Sequence, residues 1–234
     1  MPGLRLDKII AGTGLYSRSE AAALIKRGRV TADGAPALSL AEKYDPDQIL
    51  IAVDGDPVKH NKYRYIMLNK PCGYVSSTAD KRDSTVMELL DKKYSKLGLF
   101  PAGRLDKDAE GLLLLTNDGE FAHRVTSPAK GVRKRYFAGF EGAITSEDIE
   151  AFALGLTLGD GTVCLPSLIE PAAGGAYITL SEGKYHQVKR MMASRGKHVT
   201  SLRRVAIGGL ILDENLEPGS YRELEQEAFC VFDD

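Results

Sequence analysis

The sequence offers little to a metal ion. Its 234 residues hold three cysteines, Cys72, Cys164 and Cys230, with no Cys-x-x-Cys pair. An odd, scattered set argues against a disulfide framework and against a thiolate zinc site. The four histidines, His60, His123, His186 and His198, have no ligand spacing either, so no catalytic metal is expected. No apolar run approaches the length of a membrane span, and the opening MPGLRLDKII lacks the apolar stretch of a secretory leader. The expectation is a cytoplasmic protein that does not engage a membrane. Gly98 to Gly103 is followed by Arg104 rather than by Lys and a hydroxyl residue, which removes a P-loop. There is no internal repeat and no low-complexity tract.

What is present is a composition of 43% hydrophobic and 27% charged residues, that of a soluble globular chain long enough for one large domain or two smaller ones. The net charge of -1 conceals segregation. From Met1 to Ala32, Arg5, Lys8, Arg18, Lys26, Arg27 and Arg29 face only Asp7 and Glu20. Arg124, Lys130, Arg133, Lys134 and Arg135 follow one another with no acid between them. From Ser181 to Arg204, Lys184, Lys189, Arg190, Arg195, Lys197, Arg203 and Arg204 stand against Glu182. Separated basic blocks on a near-neutral chain suggest a polyanion-binding face.

The most informative stretch is Pro101 to Gly119, PAGRLDKDAEGLLLLTNDG. Leu112 to Leu115, bracketed by Gly111 and a turn signal, reads as a short buried strand. Arg104 to Glu110 is then a charged, glycine-bracketed loop feeding a core strand. Such a loop is either a solvated surface turn or the rim of a site carried by a rigid element.

Along the chain, Leu6, Ile9 and Ile10 have helical spacing. Ser17 and Glu20 fit a capping box for a second helix, Ser19 to Arg27, expected to bury Ala22, Ala23 and Ile25 or near neighbours. Gly28 stops it. Val30 to Ala32 and Ile49 to Val53 read as strands, with hairpin signals at Asp33-Gly34 and Asp54-Gly55. This pattern over residues 4 to 55 resembles the S-four-type (alpha-L) RNA-binding module. The resemblance implies that Arg5, Lys8, Arg18, Lys26, Arg27 and Arg29 contact phosphates.

Residues 56 to 63 read as a linker, giving an expected division into 1–58 and 59–234. Beyond it, Tyr65 to Leu68 is strand-like, Asn69-Lys70-Pro71 a turn, and Tyr74 to Ser77 a second strand. Short helices are expected at Val86 to Leu90 and Glu120 to Val125, and another from Thr145 to Gly155. Tyr136 to Phe140 and Ala176 to Leu180 read as strands, His186 to Ser194 as a helix with Val188, Met191 and Met192 on its apolar face. Leu202 to Leu212 is a strand broken at Gly208-Gly209. Strands with irregularly interspersed helices imply α+β with a mainly antiparallel sheet.

GRLDKDAEGLLLLTNDG together with EGKYHQVKRMMASRGKHV resembles the RsuA-type family of ribosomal RNA pseudouridine synthases. So do Leu68-Asn69-Lys70-Pro71, Thr126-Ser127-Pro128 and Ile207-Gly208-Gly209. The resemblance spans nearly the whole chain. One departure is Ala109, where the family often carries Thr or Ser. The family isomerises a uridine of RNA with no cofactor, breaking C1′–N1 and rejoining the base through C5. A carboxylate can attack the sugar or take a proton from it. By the family motif that residue is Asp106, with Asp108 and Glu110 as rivals. The resemblance further implies Lys189, with Arg190 as fallback, as the cation that keeps the carboxylate ionised. Tyr136 would stack on the uracil or serve as acid or base. Arg104 would fill the gap left by a flipped-out nucleotide or meet phosphate, and Lys134, Lys184, His186 and Arg190 would also bind RNA. The implied partner is ribosomal RNA or a subunit assembly intermediate, with the 16S RNA favoured over the 23S RNA, and the protein is expected to be a monomer. A glycoside hydrolase suits three basic blocks less well. A non-catalytic RNA-binding assembly factor would leave Asp106 dispensable.

Overall fold

The computed structural model describes residues 3–46, 48–58 and 63–233. Two compact units separate, Met1–Arg64 with Leu90–Leu99, and Tyr65–Leu89 with Phe100–Asp234.

In the first unit β1 (Leu4–Arg5) pairs with β4 (Lys43–Tyr44), and α1 (Leu6–Ala11) buries Leu6, Ile9 and Ile10. The helix α2 (Arg18–Lys26) is started by the full reciprocal capping box of Ser17 and Glu20. The Ser17 hydroxyl and backbone bonds pull the Glu20 carboxyl down to about 2, with help from Lys96. The buried face is Ala21, Leu24 and Ile25, not Ala22 and Ala23. Spacing of three and four from Ala21 fits one helical stripe, and the two neighbouring alanines fall beside it. A small sheet runs β3 (Ala35–Pro36), β2 (Val30–Ala32), β5 (Ile51–Val53), β6 (Asp56–Val58). Asp33 and Gly34 both take positive φ, +48° and +81°, which makes the tight turn between β2 and β3. The start of the expected linker is thus a strand, Asp56–Val58; residues 59–62 lie outside the described residues.

The second unit is built on a nine-stranded sheet. Its main path is β11 (Leu168–Ala172), β12 (Gly175–Leu180), β10 (Lys134–Phe140), β13 (Val199–Ile207), β9 (Glu110–Thr116), β7 (Tyr65–Lys70), β15 (Tyr221–Leu224). The short β8 (Phe100–Pro101) pairs with β9, and β14 (Leu210–Ile211) with β13. All pairings are antiparallel except β9 with β13, which meet in parallel at Glu110–Arg203 and Gly111–Arg204. Gly111 makes that contact possible. Its φ is +99°, and a Cβ there would run into the Arg204 carbonyl. The helices are α3 (Gly119–Thr126), α4 (Ser146–Leu154) and α5 (Gln187–Ser194). The α5 face buries Val188, Met191 and Met192 as its period requires. Met67, Leu112, Leu114, Phe121 and Val125 share one core cluster, so α3 packs against the central strands β7 and β9.

Three local expectations change. Asn69 and Lys70 extend β7 rather than turning. Tyr74 to Ser77 forms no strand, only an isolated bridge between Val75 and Thr85. Val86–Leu89 is a 3-10 turn rather than an α-helix. Among the described residues no helix is long and apolar enough to cross a membrane.

One buried ion cluster ties α4 to the chain after α5. Asp148 is 2% exposed and takes Lys197 Nζ at 2.6 Å and Arg195 Nε at 2.9 Å, besides capping its own helix at Thr145. Burial alone would raise its pKa. The hydrogen bonds from Lys197, Thr145 and Arg195 outweigh burial and hold the carboxyl far below the usual range. A lowered carboxyl pKa stabilises the fold above its unfolded value, 3.8, and that contribution is lost as pH falls below it. Asp148→Asn should therefore cost about 2–3 kcal/mol at pH 7 and flatten the acid limb of stability, measured by denaturant unfolding from pH 7 to 3.

Candidate active site

A cleft of about 580 Å³ opens on one face of the second unit. Its floor is the β10 face carrying Lys134 and Tyr136, joined by Leu180 of β12 and by Arg204 and Ile207 of β13. One wall is the loop Ala102 to Lys107, the other the segment Glu182 to Val188. Lys134 and Tyr136, two apart on one strand, point to the same side. Register places Tyr136 opposite Arg204 on one side and Ile178 on the other.

The loop bearing Asp106 is held through its backbone. The Lys70 ammonium, fully buried at the end of β7, donates to the carbonyls of Asp106 at 3.0 Å, Lys107 at 3.4 Å, Ala109 at 2.8 Å and Pro71 at 3.0 Å. The Ser76 hydroxyl donates to Leu105 O at 2.9 Å and accepts from Leu105 N at 3.0 Å. Arg204 donates from Nε to Leu112 O at 2.8 Å and from Nη1 to Arg104 O at 3.4 Å. With its backbone fixed on three sides, the loop leaves the Asp106 side chain 30% exposed in the cleft.

The nearest cation-forming group to Asp106 is His186, whose Nε2 lies 3.6 Å from Oδ1. His186 has φ +48°, unusual for a residue with a side chain, and its ring stacks on Tyr185 at 3.9 Å. That conformation costs about 1 kcal/mol and turns the imidazole back toward the loop from the start of α5. Lys189 reaches the same loop two residues further on. Its Nζ meets Asp108 Oδ1 at 2.6 Å, and that hydrogen bond lowers the Asp108 carboxyl pKa. Asp108, named above as a rival to Asp106, is ion-paired although its side chain is 72% exposed. An exposed pair of this kind contributes about 0–1 kcal/mol, so a change of partner is inexpensive. Arg190 pairs with Asp160 at 2.5 Å and does not line the cleft.

Of the other expected RNA contacts, Arg104, Lys134, Lys184 and His186 line the cleft. Lys184 is ion-paired with Glu182. Lys134 donates to Val125 O at 3.0 Å and Val132 O at 2.6 Å, and burial, then the nearby Arg204 charge, lowers its pKa to about 8. In the first unit, Arg5 and Arg18 are tied to the buried Asp7, and Arg29 to Asp54. Lys8, Lys26 and Arg27 are exposed. Among the described residues no three His, Cys, Asp or Glu side chains gather in a metal-binding group.

Lys70, Ser76 and Arg204 were missed as parts of the site. Arg204 had a signal: adjacent arginines on a strand face opposite sides, and Arg204 shares its side with buried Leu202. Lys70 closes a run of buried strand residues, but its local sequence imitates a turn. Ser76 has no distinguishing local pattern.

Comparison with known proteins gives a consistent picture. The family model described as RNA pseudouridylate synthase matches residues 64–194, and the S4 domain model residues 4–50. An uncharacterized RNA pseudouridine synthase of Bacillus subtilis is 44% identical over 229 residues, 96% of each chain. The ribosomal small subunit pseudouridine synthase A of Escherichia coli K12 is 42% identical over 227 residues, 96% of this chain and 97% of the other. A crystal structure of a pseudouridylate synthase superposes with a TM-score of 0.68 at 36% identity, covering 97% of this chain and 99% of that one.

Proposed function

The chain belongs to the RNA pseudouridylate synthase family, and from that premise we propose that it converts one uridine of small-subunit ribosomal RNA to pseudouridine, without a cofactor. The observation that carries the reading is Asp106: a partly exposed carboxylate on a loop whose backbone is pinned by Lys70, Ser76 and Arg204, at the wall of a cleft floored by Tyr136. A fixed loop presents the carboxylate in one place, so little ordering remains to be done when RNA arrives.

In this reading the target nucleotide leaves its stack and enters the cleft, since the glycosidic bond is inaccessible within a helix. Tyr136 lies along the base. Asp106 attacks C1′ or removes the C2′ proton, and the C1′–N1 bond breaks. The uracil turns, C5 bonds to C1′ as the Asp106 ester leaves or as C2′ regains its proton, the C5 proton departs and N1 gains one. Lys189 exchanges Asp108 for Asp106 when RNA binds, a side-chain change that leaves the loop backbone in place and gives Asp106 a counter-cation. Arg104, Lys184 and His186 hold the flanking backbone. Residues 1–58 form the RNA-gripping domain, in which Lys8, Lys26 and Arg27 contribute sequence-independent phosphate contacts. The small subunit is favoured because the Escherichia coli relative carries that name along nearly its whole length.

The test is to map pseudouridines in both large ribosomal RNAs from cells with and without the gene. One 16S site should vanish and return with the wild-type gene. Loss of a 23S site instead would move the substrate to the large subunit, and no loss in either would sink the assignment.

A further inference from the structure

Among the described residues, two cations on the cleft floor have no carboxylate partner. Lys134 spends two of its three N–H groups on the Val125 and Val132 carbonyls. Arg204 is 3% exposed, and its Nη2 is buried with no hydrogen-bond partner. The Arg204 guanidinium lies 6.0 Å from the centre of the Tyr136 ring, and Lys134 stands two residues from Tyr136 on the same strand face. Lys184, by contrast, is neutralised by Glu182. Holding unpaired positive charge in a partly buried place is unfavourable, and Lys134 shows it in a pKa of about 8. An anion arriving on the floor would relieve that cost.

Resting on the functional reading above, we propose that Lys134 and Arg204 stabilise the uracil as a leaving-group anion, lying against Tyr136, while the base is detached from the sugar. The electron balance requires such an anion. When C1′–N1 breaks, the bonding pair stays with the base and spreads over N1, O2 and O4. C1′ is satisfied either by an ester bond to the Asp106 carboxylate or by a double bond to C2′, whose proton goes to Asp106. The anion then returns through C5, which bonds to C1′ as the ester leaves or as C2′ regains its proton. Charge exists on the base only between these events. Preorganised cations there favour the transition state over the neutral bound nucleotide. Phosphate groups, charged throughout, would draw no such distinction.

The experiment is a leaving-group comparison. Small-subunit RNA is transcribed with uridine or with 5-fluorouridine, whose fluorine stabilises the base anion. Single-turnover cleavage of C1′–N1 is followed for wild type, Lys134→Met and Lys134→Arg. With uridine, Lys134→Met should be slowed about 10²–10³-fold, the usual loss for one charge-stabilising donor. With 5-fluorouridine the slowing should be at least about tenfold smaller, because the better leaving group needs less help. Lys134→Arg keeps the charge and should retain most of the rate in both. If Lys134→Met does not fold, Lys134→Gln replaces it in the same comparison. Equal slowing on the two RNAs overturns the proposal, as does a variant that loses only affinity and salt dependence. Wild-type protein that forms no pseudouridine on the uridine transcript overturns the functional reading, and the proposal with it.

Discussion

Asp106→Asn is expected to reduce pseudouridine formation by about 10⁴-fold or more while leaving RNA affinity within about threefold of wild type. Asparagine has the same shape but can neither attack a sugar carbon effectively nor accept its proton. The fold should not notice the change. Asp106 contributes to the loop through its backbone carbonyl, which Lys70 and the Ala109 N–H share, at 3.0 and 3.1 Å. Those bonds survive the substitution. Product formation is read by chemical mapping of pseudouridine, affinity by filter binding, and integrity by thermal melting. Normal modification by the variant would end the mechanism.

Lys70→Met should damage both stability and rate. Methionine follows a similar path through the core, but it has no donor. The carbonyls of Pro71, Asp106, Lys107 and Ala109 then lose a shared partner in a place that water reaches poorly. Each buried unsatisfied carbonyl costs about 1–3 kcal/mol, and removing a buried charge returns part of that, so a net loss of about 2–4 kcal/mol is expected. The loop, no longer tied to β7, should drift enough to lower the chemical rate about 100-fold. Denaturant unfolding and single-turnover kinetics on the same preparation check both effects. A variant with wild-type stability and rate would show that Ser76 and Arg204 suffice to hold the loop.

The parts legible in the sequence are those governed by local spacing. Leu112 to Leu115 announced the β9 strand, Val188 with Met191 and Met192 announced the α5 face, and Ser17 with Glu20 announced a helix start. Each signal lies within one or two turns of chain. The site's support was not legible, because it depends on strand pairings between distant segments. Nothing near Arg204 says that it will lie beside Gly111, and nothing near Lys70 says that it will face the loop from Asp106 to Ala109. The strand β15, Tyr-Arg-Glu-Leu, is too polar and too short to stand out, and β11 is interrupted by Pro171. Ala109, where a hydroxyl residue is usual in the resembling family, now has a physical account. Its side chain is fully buried, and the loop is fixed by its N–H and carbonyl instead. A hydroxyl is unnecessary for fixing the turn when Lys70 does so from the other side.

The place of β15 has a consequence for synthesis. It pairs with β7, from Tyr221 opposite Leu68 to Leu224 opposite Tyr65, so the first strand of the second unit is flanked by β9 early and by β15 only after Tyr221–Leu224 has been made. During translation β7 can find β9 soon after both emerge, yet its other edge stays open until the chain through Leu224 has left the ribosome. A contact this distant in sequence closes late, and an open strand edge invites pairing with other chains in the meantime. Lys70 sits at the end of that same strand. The loop bearing Asp106 therefore gains its first anchor soon after β7 and β9 emerge, and its final rigidity only after Leu224 has followed.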